Sequence, residues 1–373
     1  MSSPKRPTKQ LPSLPYDLIL SCLARVSRLH YPTLSLVSKT FQSLIASPEL
    51  YKTRSLLNRT ESCLYVCLEF PSDPNPRWFT LCRKPNQTLT NDKKKSSGYV
   101  LIPISNPNSA TPGKEYNGGL VAVGCNIYAI GGSIENADSS SVSILDCRTH
   151  MWHDGPSMWM KRNKPATNVV DGKIYVAGGC KDSSNGMEVF DLKTQTWELV
   201  LSRSLKNRIL KSTVVEGERY SFGKKVGNPY KPKEGRWEDE GDRKYQYWNL
   251  DLLMALTCNC VIDNIVYFYS TYGGIQYCNS GTRCLKNLKG LQGLPKFHGY
   301  SYVKFADYGG KLAVFWDTCL PLGGFRGMKI SCAVISLERR ETKEIWGKVE
   351  WLDDAVLTVP RTYKLVAAIA AIL

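Results

Sequence analysis

One motif recurs along this chain at a nearly fixed interval, and that interval restricts the fold more than any other feature. The stretch KIYVAGG at residues 173–179 repeats NIYAIGG at 126–132, so Tyr175 lies 47 residues after Tyr128. An Asp and a Trp follow each copy: Asp146 and Trp152 in the first, Asp191 and Trp197 in the second, both 45 residues apart. The interval continues in weaker form through Tyr220, Tyr267 and Ala313, at steps of 45, 47 and 46 residues. Each unit holds short runs of β-branched and aromatic residues broken by Gly, Asp, Asn and Ser. Such runs read as strands, about four per unit, with no helical period between them.

Four strands in about 46 residues, repeated radially, describe the blade of a β-propeller. Units 119–165 and 166–210 carry the motif best. The third unit has one glycine, Gly223, the fourth has Gly273 and Gly274 displaced by three, and the fifth has none in place. A double glycine after a strand can cradle a phosphate, but that needs a helix behind it or a Gly-Lys-Ser/Thr ending, and neither follows. Gly131, Gly132, Gly178 and Gly179 are therefore read as sites of tight turning and close packing near the propeller axis, where a side chain would strike the adjacent blade. The segment SCLYVCLEFPSDPNPRWFTLCRKP, with Tyr65 and Trp78, serves as a first blade, followed by a polar insertion at about 86–98 that reads as a disordered loop. The tail AVLTVPRTYKLVAAIAAIL is expected to add a strand to that first blade, closing the ring and removing both sheet edges. An all-β propeller over 62–373 follows, with six blades expected and seven the alternative.

Residues 11–57 differ in kind, after a basic tail at 1–10 expected to be disordered. Pro15 precedes a helical run, Leu34, Val37, Phe41 and Leu44 mark a second, and Ser47 with Pro48 starts a third. In the first, Leu18, Ile19, Leu20, Cys22, Leu23 and Val26 fall on nearly every side. A helix apolar all round must be buried all round, and three short helices cannot do that alone. With the rest of the chain a closed ring, a separate protein is the expected cover.

This segment resembles an F-box over its whole length, in Leu14-Pro15, Asp17-Leu18, Leu36-Val37-Ser38-Lys39, Phe41 and Ser47-Pro48-Glu49-Leu50-Tyr51. The repeats resemble kelch repeats in Gly131, Gly132, Trp152, Gly178, Gly179 and Trp197. Together, in this order, they resemble the F-box/kelch-repeat proteins of plants. The resemblance implies docking of the helices on the Skp-type adaptor of a cullin-based ubiquitin ligase, through Leu14, Pro15, Leu18, Ile19, Leu23, Leu36 and Val37. It implies a propeller that holds an unidentified target protein for ubiquitination. The rival reading is a kelch scaffold whose front helices only pack or associate otherwise.

The sequence offers little for chemistry of the chain's own. Four histidines exist, His30, His150, His153 and His298, too few and too scattered for a metal site, with His150 and His153 read as surface residues of a turn. Cys258 and Cys260, at strand spacing, read as core, and Cys278 with Cys284 lacks a paired zinc spacing. No nucleophile elbow, zincin motif or phosphate loop is present. The expectation is no catalysis, no metal and no cofactor.

The net charge of +16, from 49 Lys and Arg against 33 Asp and Glu, is spread over tail and loops without interleaved aromatics. It reads as a solvated basic surface rather than a nucleic-acid site. Thirteen cysteines without framework spacing, and a start broken by prolines, suggest a reduced compartment, cytoplasm or nucleus. The nine apolar residues at the end would span about 14 Å as a helix, under half of a bilayer core of about 30 Å, so no membrane anchor is expected. Target recognition is assigned to loops 133–141, 180–186 and 223–237. The last is basic, which suits an acidic patch, and carries Tyr230 and Trp237, residue types that dominate hot spots.

Overall fold

The structure is a computed structural model that describes residues 14–73, 75–84, 98–104, 117–134, 137–180, 186–200, 211–215, 217–222, 230–237, 258–270, 274–279, 285–297, 302–319, 327–340 and 344–373. The basic tail 1–10, most of the insertion 86–98 and much of the loops 180–186 and 223–237 lie outside these residues.

Among the described residues of the front segment there are four α-helices, not three: α1 (Tyr16–Arg25), α2 (Tyr31–Ser35), α3 (Lys39–Ile45) and α4 (Pro48–Leu56), with a 3-10 turn at Arg28–His30. The expected second helix is split because Ser38 leaves the helical region and accepts a hydrogen bond from the Phe41 N–H, capping α3. Ser47 caps α4 in the same way, ahead of Pro48 in its first turn.

After the front segment, the elements among the described residues are β-strands. The chain runs through β1 (Ser62–Glu69), β2 (Arg77–Arg83), β3 (Tyr99–Pro103), β4 (Gly119–Val123) and β5 (Asn126–Ile130). A short hairpin, β6 (Ser133–Ile134) with β7 (Ala137–Asp138), leads to β8 (Val142–Asp146) and β9 (Met151–Gly155). Next come β10 (Ala166–Val170), β11 (Lys173–Ala177), β12 (Met187–Asp191), β13 (Thr196–Val200), β14 (Lys211–Val215), β15 (Glu218–Phe222), β16 (Tyr230–Lys231) and β17 (Arg236–Trp237). The last nine are β18 (Asn259–Ile262), β19 (Ile265–Ser270), β20 (Gly274–Asn279), β21 (Leu285–Asn287), β22 (Val303–Asp307), β23 (Leu312–Cys319), β24 (Gly327–Arg339), β25 (Ile345–Pro360) and β26 (Lys364–Ile372).

Among the described residues these strands, apart from the β6–β7 pair, form antiparallel four-stranded sheets arranged as a β-propeller. Five are built from consecutive stretches of chain: β4-β5-β8-β9, β10 to β13, β14 to β17, β18 to β21 and β22 to β25. A further sheet is composite, in the order β26-β1-β2-β3, joining the end of the chain to residues 62–103. Its register runs from Ser62↔Ile372 to Glu69↔Lys364, so the closing strand sits where the sequence placed it. The first strands touch in turn, β26 to β4, β4 to β10, β10 to β14, β14 to β18, β18 to β22 and β22 back to β26, which leaves no open edge at the centre. Tyr65, Tyr128, Tyr175, Tyr220, Tyr267 and Ala313 all fall in the second strand of their sheets, which is the structural meaning of the sequence interval.

The paired glycines turn the chain with a positive φ. Gly131 and Gly132 have φ of +66° and +102°, and Gly178 and Gly179 of +75° and +77°, a region that costs other residues strain. A Cβ on Gly131 would meet the Arg162 carbonyl oxygen at 2.7 Å, and one on Gly179 the Asn163 oxygen at 2.4 Å. Those oxygens belong to the segment joining β9 to β10, so each glycine lets a neighbouring backbone approach.

The two tryptophans bridge sheets. Trp197 of β13 donates its indole N–H to the Pro156 carbonyl at 2.8 Å and packs with Tyr128 and Ile144 of the preceding sheet. Trp152 of β9 meets Trp78 of β2 with ring centres 5.8 Å apart.

The helices sit on the ring rather than apart from it. Leu20, Leu23 and Ala24 of α1, Leu44 of α3, and Leu50 and Tyr51 of α4 share one core with Tyr65, Trp78, Ile127, Leu145, Ala371 and Leu373 of the propeller. The expectation that a separate protein covers them is thus corrected for one face, which two neighbouring sheets cover. The segment cannot hide its apolar surface alone, but the same chain hides much of it.

Candidate functional site: the helical face and its seat on the propeller

Among the described helical residues the ring leaves Tyr16 and Leu56 exposed, together with most of the expected contact set. Leu14, Leu18, Leu36 and Val37 are 52%, 52%, 83% and 64% exposed, and Pro15 is exposed beside them. Pro15 starts α1, its carbonyl accepting the N–H groups of Leu18 and Ile19, so Leu14 and Leu18 are one turn apart at the helix start. Leu36 and Val37 lie in the break between α2 and α3, held out of any helix by the Ser38 cap. Ile19 is half-buried against the ring. Leu23 is corrected from a contact residue to a core residue: at 4% exposure it packs on the propeller and no partner can reach it.

On the ring, Tyr230 is corrected too. It is buried, with its ring centre 5.9 Å from that of Tyr175, because β16 pairs with β15 and turns the side chain into the sheet core. Trp237 ends the described part of β17, and its side chain lies outside the described residues. Within loop 133–141, β6 pairs with β7 and the Ser139 and Ser141 hydroxyls meet at 2.7 Å.

A cluster of charged groups that the sequence did not reveal pins the helices to the ring. Arg54 of α4, 2% exposed, donates to the carbonyls of Ala24 and Val26, closing the C-terminal end of α1. It also pairs with Glu61 at 2.7 Å. Glu61 in turn accepts the Ser27 hydroxyl at 2.9 Å and the Arg28 N–H, and its backbone exchanges two hydrogen bonds with Leu373. One residue therefore ties the helices, through its carboxylate, to the end of the chain, through its backbone.

Arg28 is the second member. Its guanidinium is buried and donates to the Tyr51 hydroxyl and the Cys147 carbonyl, lying 3.0 Å from His150 Nε2. His150 is thus no surface residue: burial, then the adjacent guanidinium, push it down to about 3, so its ring is neutral at neutral pH. Its φ of 61° swings it inward after β8, where spacing along the strand gives no hint of it. His153 is exposed, as read from the sequence.

Burial pushes the thiols of Cys63 and Cys82 up to about 11 and about 12, which leaves them protonated and poor nucleophiles. The Tyr51 phenol is raised to about 12 by burial. Twelve cysteines among the described residues are free thiols. Cys258 is buried and Cys260 partly so in one core, while Cys284 lies outside the described residues. Among the described residues no three His, Cys, Asp or Glu side chains gather to hold a metal ion. No helix there is long and apolar enough to cross a membrane.

Comparison with known proteins agrees with this architecture. Residues 11–53 match the F-box domain, and residues 78–357 match the FKB95, Kelch-repeats domain. The chain belongs to the F-box/kelch-repeat family. It is 56% identical to the F-box/kelch-repeat protein At4g39550 of Arabidopsis thaliana, over 96% of this chain and 93% of that one. It is 58% identical to the Arabidopsis F-box/kelch-repeat protein At5g49000 over the full length of both. A putative F-box/kelch-repeat protein, At4g39600, also from Arabidopsis, is 50% identical over 96% of each chain. The pairing of domains, F-box first and kelch repeats after it, is that of an F-box substrate-adaptor type.

Proposed function

We propose that the chain is the non-catalytic substrate-recognition subunit of a Skp-cullin-F-box ubiquitin ligase, at work in cytoplasm or nucleus. In this reading Leu14, Pro15, Leu18, Leu36 and Val37, with Ile19 at the edge, dock on a Skp-type adaptor. The composite sheet counts as the sixth blade, and the loops of the ring hold a target protein. The contribution to ubiquitination is proximity: one chain binds adaptor and target together and raises the concentration of one near the other. The observation that carries the reading is the uncovered apolar set on an F-box whose other face is already seated on the propeller. Large apolar side chains left exposed together mark a protein partner.

The coverage of Leu20, Leu23 and Ala24 by the ring favours a second reading, a kelch scaffold whose helices serve only as a cap. One experiment separates the two. In co-purification with a Skp-type adaptor, Leu36→Asp combined with Val37→Asp should cut capture at least tenfold, with melting unchanged within about 0.5 kcal/mol, since surface changes cost little. Equal capture of this variant and the parent chain would leave the scaffold reading standing.

A further inference from the structure

Beneath the helices lies a cavity of about 420 Å³, walled on one side by residues of the 3-10 turn, α2 and α3, and on the other by β2, β3 and the turn from β8 to β9. That volume falls in the range of small-molecule sites, about 300–1,000 Å³. Leu29, Pro32, Leu81, Ile104 and Met151 give it apolar walls, and it reaches solvent past the exposed Gln42, Pro103 and Met151. The polar side chains in its wall include Arg28 and His150.

Charge is not balanced there. Arg148 is matched by Asp146 through 2.8 Å and 2.9 Å contacts, and Arg54 by Glu61 at 2.7 Å. The Arg28 guanidinium, more than nine-tenths buried, meets only neutral groups among the described residues: the Tyr51 and Tyr65 hydroxyls, the Cys147 carbonyl and the His150 ring. Its stacking over the Tyr51 ring, 5.3 Å to the centre, helps but brings no negative charge. A guanidinium taken out of water without a counter-charge is costly, and buried charges are ordinarily paired. An acid supplied from outside would complete the pair.

We propose that this cavity binds a small amphipathic organic acid, its carboxylate or equivalent anionic group on Arg28 and its apolar body against Leu29, Leu81 and Ile104. The occupied site would bridge the F-box helices and the propeller, contacting both and stiffening the joint. It is independent of which adaptor or target the chain engages.

The test is titration calorimetry of the full-length chain with trans-cinnamate and with octanoate, each against its amide, and with inorganic phosphate. Saturable one-to-one binding of an acid, at least tenfold weaker for its amide and for phosphate, is the expected result. Arg28→Met should lose that binding at least tenfold. Ala46→Phe, which fills the cavity from the end of α3, should lose it as well and keeps the test valid if Arg28→Met folds poorly. Acid and amide binding alike, phosphate binding as tightly as either acid, absence of saturable binding by both acids, or undiminished binding to Ala46→Phe would each overturn the proposal.

Discussion

Two kinds of joint hold this molecule together, and they differ in how charge is settled. Between sheets, buried carboxylates are fully engaged. Glu188 of β12, wholly buried, pairs with the equally buried Arg162 at 3.0 Å and accepts the Trp159 N–H at 2.7 Å. Arg162 spends its other donors on the carbonyls of Gly178 and Gly186, both at 2.8 Å. Asp317 of β23 accepts the Tyr302 N–H and the Tyr363 hydroxyl, and Asp353 of β25 accepts the Tyr99 N–H of β3, tying the last sheet to the composite one. Between ring and helices, Glu61 pairs with Arg54, while among the described residues the Arg28 guanidinium has no anion and lies beside an open cavity.

That contrast gives the largest expected effect. Arg162→Met strands Glu188 in the interior, and breaking one side of a buried pair costs about 3–5 kcal/mol. Arg28→Met removes a charge that has no partner to strand. Its neighbours stay satisfied, since Tyr65 still donates to the Cys147 carbonyl at 3.1 Å and Tyr51 to that of Ile45 at 2.9 Å. It should cost about 1 kcal/mol or less, and chemical denaturation of the two variants compares them directly. Similar losses at both sites would erase the distinction between the joints.

A smaller effect sharpens the ring side. Gly179→Ala adds a left-handed strain and a 2.4 Å clash with the Asn163 oxygen, whereas Gly172→Ala, at φ +75°, meets open space. The second should cost about 1 kcal/mol from backbone strain alone, and the first at least twice that. Equal shifts in denaturation midpoint would mean that close approach across the joint contributes nothing.

The smallest expected effect concerns the helical joint. His150 has a folded value of about 3 against an ordinary value of 6.5, so the unfolded chain takes up a proton that the folded chain refuses. The stability from this group is present above about pH 6.5 and is lost as pH falls toward 3, at no more than about 1.4 kcal/mol per pH unit. Partial solvent contact of the ring reduces that slope. His150→Asn, which tolerates the positive φ, should flatten the melting temperature between pH 6.5 and 5 relative to the parent chain. Parallel profiles would show that the imidazole is not what titrates there.

How far the fold could be read beforehand depended on whether a feature was local. The interval from Tyr128 to Tyr175 and onward located every second strand, and the apolar tail located β26, because strand alternation and turn glycines are written in neighbouring residues. The F-box motif located its uncovered residues for the same reason, and Leu36, Val37 and the Ser38 cap sit within three positions. Tyr230 was misjudged as an exposed hot spot because its burial depends on pairing with β15 across a loop, not on its own surroundings. Leu23 was misjudged because α1 looks alike on several sides, and only its seat on the ring decides which side is covered.

By itself the sequence determined a ring of repeated sheets closed by its own tail and preceded by F-box helices, since periodicity and capping act over a few residues. Tertiary structure alone decided which charges meet. Arg162 and Glu188 are 26 residues apart, and Arg28 and His150 are 122 apart, with no motif linking either pair. Their encounter depends on how sheets and helices stack. Stacking is driven by non-directional burial of apolar surface, which leaves no local mark on the polar residues it brings together.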